Sequence, residues 1–247
     1  MRKILPLLPV LLYSCGQGVL PSRPVVSGVW GNPRGDSLVI HWYSLEGAER
    51  YEVKGIGDKG ETDTLYSGTD TVAVLGKRYP YYTVVAYAPS DIQESDTVVA
   101  RVVGDTLTLR AYGSGFENAV CYTEGKVEPC NPEDENLQPN VILLLDSLSF
   151  VSPSTDTTHF GHLRLLYSSG PSDMAPYPPD GYSEVYSVSV AETVAVWIDR
   201  GIADTFDLTD NVARVTIDSL YVGDGSRDSI RVKVSVRYQK VPRLRWY

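Results

Sequence analysis

What this chain lacks narrows the field first. Helical periodicity is almost absent from its 247 residues: apolar side chains recur at every second position in short runs, which speaks against helix bundles and βαβ arrays. No apolar run approaches the roughly 20 residues that a helix needs to span a bilayer. Basic surplus is missing too. Lys and Arg total 22 against 31 Asp and Glu, a formal charge of −9, so no basic field offsets phosphate repulsion, and nucleic acid and anionic lipid surfaces are not expected partners. There is no Gly-x-Ser-x-Gly elbow, phosphate-binding loop or His-Glu-x-x-His pattern, which leaves nucleophilic, phosphoryl-transfer and zinc-hydrolase chemistry without a motif and implies no cofactor. Phenylalanine is scarce, 4 residues against 17 tyrosines. Tyrosine suits half-exposed strands and binding surfaces, because it joins a large apolar face to a polar tip.

What is present begins with "LPVLLYSCGQG". Arg2 and Lys3 form a basic head, Ile4 to Tyr13 an apolar stretch of about ten residues too short to cross a membrane, and Pro6 and Pro9 break any helix there. This pattern reads as an export signal over residues 1–14. Leu12-Tyr13-Ser14-Cys15 resembles the lipobox of bacterial lipoproteins, with an aliphatic residue three before the cysteine and a small one immediately before it. The resemblance implies cleavage before Cys15 and acylation of that residue, hence a lipid-anchored protein held at the bilayer by several acyl chains. Gly16 follows the cysteine, where aspartate can retain such proteins at the inner membrane. The implied location is therefore the outer membrane if the cell has two, facing either the periplasm or the exterior. Residues 15–23, with Gly16, Gly18 and Pro21, read as a tether.

Three cysteines are an odd number for an exported chain. If Cys15 carries lipid, Cys121 and Cys130 remain as a pair in "VCYTEGKVEPCN". There Glu124-Gly125-Lys126 suggests a turn, and Pro129 is incompatible with a regular central strand. A disulfide suits an oxidising compartment. Two free thiols are the rival reading, and a metal site would need further ligands such as His159 and His162.

Short alternating runs separated by Gly, Pro, Asn, Asp and Ser predict an all-β chain of two β-sandwich domains. Residues 24–103 place Leu38, Ile40 and Trp42 on one face of a strand, then Tyr51 and Val53, Leu75, and Tyr82, Val84, Ala86 and Ala88 on successive ones. This arrangement resembles the fibronectin type III domain, which implies that Trp42 is core and that the aromatic of the sixth strand is a corner residue. "RGD" at Arg34-Gly35-Asp36 falls between the first two strands, not in the loop that the family uses for integrins, and reads as a turn. Residues 105–247 are too long for a second domain of that size and predict a larger jelly-roll-like or immunoglobulin-like sandwich. Asp146-Ser147-Leu148 and Asp218-Ser219-Leu220 echo one another, as two related hairpins or by chance. The terminal "VPRLRWY" reads as an edge strand, with a docking tail as the alternative.

Candidate sites are few. The proline-rich loop 168–184 is the expected recognition element, with Tyr177, Asp180 and Tyr182 as its candidate binding residues. Asp224, Gly225 and Asp228 in "GDGSRD" fit a turn better than a calcium loop. His159 and His162 in "HFGH" would face opposite sides of a regular strand, so no metal is expected. The function these features imply is a non-enzymatic lipoprotein that displays its domains for adhesion, scaffolding or contact with an envelope protein. A glycan-binding module is the second reading, and a glycosidase on a β-scaffold the third.

Overall fold

A computed structural model describes residues 19–111, 117–134, 138–153, 160–170, 172–201, 205–224 and 229–247. Cys15 and the export segment lie outside the described residues, as do His159, Gly225 and Asp228. Strands dominate and all their pairings are antiparallel. The cause is visible in the side chains: β-branched and aromatic residues at alternate positions cover one pleated face and leave the other to polar groups.

The first unit packs a three-stranded sheet against a larger one. The three-stranded sheet, in the order β1-β2-β5, comprises β1 (Val26–Gly31), β2 (Leu38–Trp42) and β5 (Val72–Leu75). The other contains β3 (Arg50–Ile56), β4 (Thr62–Gly68), β6 (Tyr81–Ala88) and β7 (Asp91–Glu94) in the order β4-β3-β6-β7, with β8 (Val98–Val99) also on β6. Leu38, Ile40, Trp42, Val53, Tyr82, Val84 and Ala86 are fully buried between them. Trp42 is the largest, and its ring meets Tyr51 and Tyr66 at 5.6 and 6.0 Å. Tyr82 turns its hydroxyl back onto the chain before it, accepting from the Tyr79 N–H at 2.8 Å and donating to the Lys77 carbonyl at 3.2 Å. That is the corner role expected of it, in an all-β sandwich.

The second unit packs two five-stranded sheets. One is β11-β10-β12-β13-β15, built from β10 (Ala119–Thr123), β11 (Lys126–Cys130), β12 (Val141–Asp146), β13 (Ser149–Val151) and β15 (Val185–Ser187). The other is β14-β16-β17-β18-β9, built from β9 (Val103–Arg110), β14 (Arg164–Ser169), β16 (Thr193–Asp199), β17 (Asn211–Val222) and β18 (Ile230–Gln239). Val196, Ile198, Val215, Val232 and Leu109 pack with Ile142, Leu143 and Phe150 in one core cluster.

β10 and β11 are joined at Glu124 and Gly125, both at positive φ (49° and 85°), the conformation of a two-residue hairpin turn. The expected disulfide joins the same strands, Cys121 to Cys130, with Cα atoms 5.8 Å apart. Pro129 sits on β11, an edge strand, where no ladder donor is missed.

One open alternative closes and one expectation fails. The two Asp-Ser-Leu segments are not related hairpins: Ser147 lies in the turn between β12 and β13 at φ 54°, whereas Asp218 falls at a register shift inside the continuous strand β17. Nor is "VPRLRWY" an edge strand. Pro242 has no N–H to give a ladder and Arg243 turns to φ 54°, so the segment leaves β18 and docks on the first unit. There Val241, Leu244 and Trp246 join the core around Trp42.

Candidate functional site

The docked segment creates a joint between the two units on which a site could be built. Gly31 donates its N–H to the Pro242 carbonyl at 2.8 Å, and Arg245 donates its own N–H to the Gly35 carbonyl at 2.9 Å. Arg243 Nε donates to the Gly31 carbonyl at 3.0 Å, and Arg245 Nε to the Arg34 carbonyl at 2.7 Å. Trp246 Nε1 donates to the Asp36 carbonyl at 3.2 Å. The Arg-Gly-Asp turn is thus held by its main chain at an interdomain seam. Gly35 is at φ +69°, and a Cβ there would lie 2.7 Å from the Arg243 carbonyl oxygen and 2.7 Å from Phe206. The Asn32 amide and then the Ser37 hydroxyl donate to the Asp36 carboxyl and hold its pKa below the usual carboxylate value.

Arg245 is the charged centre of this seam. It is buried, and burial lowers its pKa. Its guanidinium donates to the Arg34 carbonyl and, through Nη1, to the Ala175 carbonyl at 2.6 Å, so the charge is solvated by main-chain oxygens. Its plane also lies 5.4 Å from the centre of the Tyr177 ring.

Tyr177, Asp180 and Tyr182 take three different environments. Tyr182 packs onto the small aromatic cluster of Trp197 and Phe206 on the outer face of β16, edge-on to Trp197 at 6.1 Å, and donates its hydroxyl to the Pro176 carbonyl. Burial drives its pKa up. Tyr177 stands at the rim, 45% exposed and edge-on to Phe206. Asp180 is exposed in the turn between them. The loop therefore serves largely as cover for a secondary core, and it gathers no shared open site from these three residues. The Asp210 carboxyl, whose pKa burial raises, is fully buried and accepts the N–H groups of Asp207 and Arg200. Among the described residues no three His, Cys, Asp or Glu side chains are grouped to hold a metal, and His162 is exposed.

A groove of ≈ 720 Å³ runs along the joint, within the range of small-ligand sites. Its floor is the outer face of β9 and β18, where alternation turns Thr106, Ser235 and Arg237 away from the core. Its walls are Arg78 and Arg101 from the first unit, and Trp246 closes one side. Gly104, opposite Arg237 in register, admits a close approach of β18, since a Cβ there would lie 2.3 Å from the Val236 carbonyl oxygen. Arg78 packs its guanidinium 5.4 Å from the Trp246 ring centre and donates to the Asp173 carbonyl at 2.9 Å. On the floor, Ser235 Oγ donates to Asp218 Oδ2 at 2.7 Å and stands 2.9 Å from Thr106 Oγ1. Sequence reasoning missed this groove. Arg78, Arg101 and Arg237 lie in three separate segments with no shared spacing.

Comparison with known proteins adds little. No family model and no curated protein matches the chain. Among solved structures it is similar to one described as titin kinase and its flanking domains, at a TM-score of 0.27 and 9% identity, covering 89% of this chain and 37% of that one.

Proposed function

We propose that this chain is a lipid-anchored, non-enzymatic binding protein of the cell envelope, displaying two joined sandwiches whose seam forms its ligand groove. The carrying observation is the docking of Trp246 and Arg245 onto the Arg-Gly-Asp turn, which makes one body of two units and shapes an open groove between them. Leu20 shortens the tether read over residues 15–23. It is buried in the first unit and its N–H donates to Asp91 Oδ2 at 3.0 Å. Only four residues lie between Cys15 and this point, a reach of at most about 18 Å, so a lipid on Cys15 would hold the first sandwich close to the membrane. The groove is lined by guanidinium and hydroxyl groups and is open to solvent, which suits binding more than water-excluded chemistry. The Asp210 carboxyl is sealed behind backbone donors and is closed to a substrate.

The test of anchoring is metabolic labelling with radioactive fatty acid, beside fractionation of a Cys15→Ser variant. Label on the parent and release of the variant from membranes are expected. An unlabelled parent, with the variant still fractionating identically, would overturn the anchor. A second reading, that the ligand is a glycan, is favoured by the hydroxyl floor of Thr106 and Ser235.

A further inference from the structure

We infer that the groove at the joint binds an acidic oligosaccharide, its carboxylates taken by Arg237, Arg101 and Arg78 and its hydroxyls by the Thr106 and Ser235 floor; this rests on the reading of the chain as a binding protein. Charge is the first reason. The chain carries −9 overall, yet three guanidiniums line this groove beside the carboxylates of Asp58 and Asp105, while the Asp218 carboxylate under the floor is engaged by the Ser235 hydroxyl. Among the described residues none of the three arginines forms a direct ion pair. The Tyr81 hydroxyl and the neighbouring Asp58 raise the pKa of Arg101, so it stays charged at any working pH. A guanidinium presents a planar fork that matches a carboxylate in two parallel hydrogen bonds. Three guanidiniums gathered in one groove of an anionic protein offer a carboxylate ligand partners where the remaining surface repels it.

The floor adds the sugar part. Ser235 has one hydroxyl proton and donates it to Asp218. Thr106 must then be the donor in its contact with Ser235, which leaves lone pairs of the Thr106 oxygen turned to the groove as acceptors for a sugar hydroxyl.

An acidic peptide added as a strand fits less well. β9 is the open edge of its sheet, and the Ala111 N–H to Ile230 carbonyl bond sets the alternation that turns even-numbered N–H groups of β9 outward. The Thr106 N–H on that edge is already capped by its neighbour Asp105 Oδ1 at 2.7 Å. Capping of this kind blunts strand addition.

Isothermal titration of the full chain in detergent tests the inference, with tri-galacturonate, tri-glucuronate and sialyl-lactose as probes, the methyl esters of the same sugars, and hexaglutamate. At least one free acid should bind. Its methyl ester should bind about tenfold or more weakly, and Arg237→Gln should weaken the acid by a similar factor, the size of a lost charge-assisted contact. Arg23→Gln, outside the groove, should change nothing. No heat from any acid at about 1 mM, equal binding of acid and ester, an Arg237→Gln protein that binds like the parent, or hexaglutamate binding as tightly as the sugar would each overturn it. A chain that ignores all the sugars while crosslinking through the groove to an envelope protein removes the sugar and leaves the binding-protein reading standing.

Discussion

Trp246 donates its indole N–H to the carbonyl of Asp36, a residue 210 positions earlier in the chain, and buries its ring in the core of the first sandwich. The outcome is that a segment following the last strand of the second unit completes the first. Stability and ligand geometry are therefore coupled through a few side chains, and each can be tested by substitution.

Removing the Trp246 ring should cost about 3–5 kcal/mol, the range for a buried aromatic cut to alanine, and should let the two units unfold separately. Denaturant titration followed by circular dichroism reads both effects. A single transition at the parent midpoint for Trp246→Ala would show that the segment carries no load. Tyr43→Ala, at a 61% exposed tyrosine, is the near-neutral control.

Gly35 and Gly47 form a matched pair. Both have positive φ, +69° and +83°, but a Cβ at Gly35 meets the Arg243 carbonyl and Phe206 while one at Gly47 meets nothing within 4 Å. Gly47→Ala should cost about 1 kcal/mol from backbone strain alone. Gly35→Ala should cost about 2 kcal/mol or more, since the seam must also move. Equal losses in thermal unfolding would mean that the Arg-Gly-Asp turn is not held as described.

Acid should weaken the seam through Asp36. Its folded pKa lies below its ordinary value because Asn32 and then Ser37 donate to it. The folded state thus binds fewer protons near that pH, so the contribution is fully present above the unfolded pKa of about 3.9 and is lost as pH falls through the folded value. Asp36→Asn should show a deficit of about 1 kcal/mol or less, as befits a screened surface group. That deficit should be constant at neutral pH and should close below about pH 4. Urea midpoints measured across that window decide it, and a deficit that does not vary with pH would rule Asp36 out as its source.

The disulfide should stabilise the second unit alone. Closing the loop from Cys121 to Cys130, nine positions apart, is worth about 2–3 kcal/mol in the chain-entropy account. A Cys121→Ala, Cys130→Ala double variant should lose that much in the transition of the second sandwich. When combined with Trp246→Ala, it should leave the transition of the first unit where it was. Movement of the first transition would contradict the separation of the two cores.

Much of this was legible in the residues themselves. Period-two alternation puts Leu38, Ile40 and Trp42 on one face whatever they pack against, because successive Cβ atoms of a strand point to opposite sides. The turn at Glu124-Gly125 follows from local geometry and the Cys121–Cys130 pair from the cysteine count once Cys15 is set aside, whereas the corner role of Tyr82 was implied by the resemblance alone. The Asp-Ser-Leu echo stayed open for the complementary reason: the same tripeptide turns the chain at Ser147 and bends a continuous strand at Asp218, according to what pairs alongside.

Only the tertiary structure decided that Tyr182 covers Trp197, that "VPRLRWY" leaves its sheet, and that Arg78, Arg101 and Arg237 meet in one groove. Strand pattern and turn chemistry are set by sterics within a few residues, so the chain itself carries them. Docking between distant segments is set by the total surface two folded units can bury together and by which backbone groups still need partners, and neither exists until both sandwiches have formed.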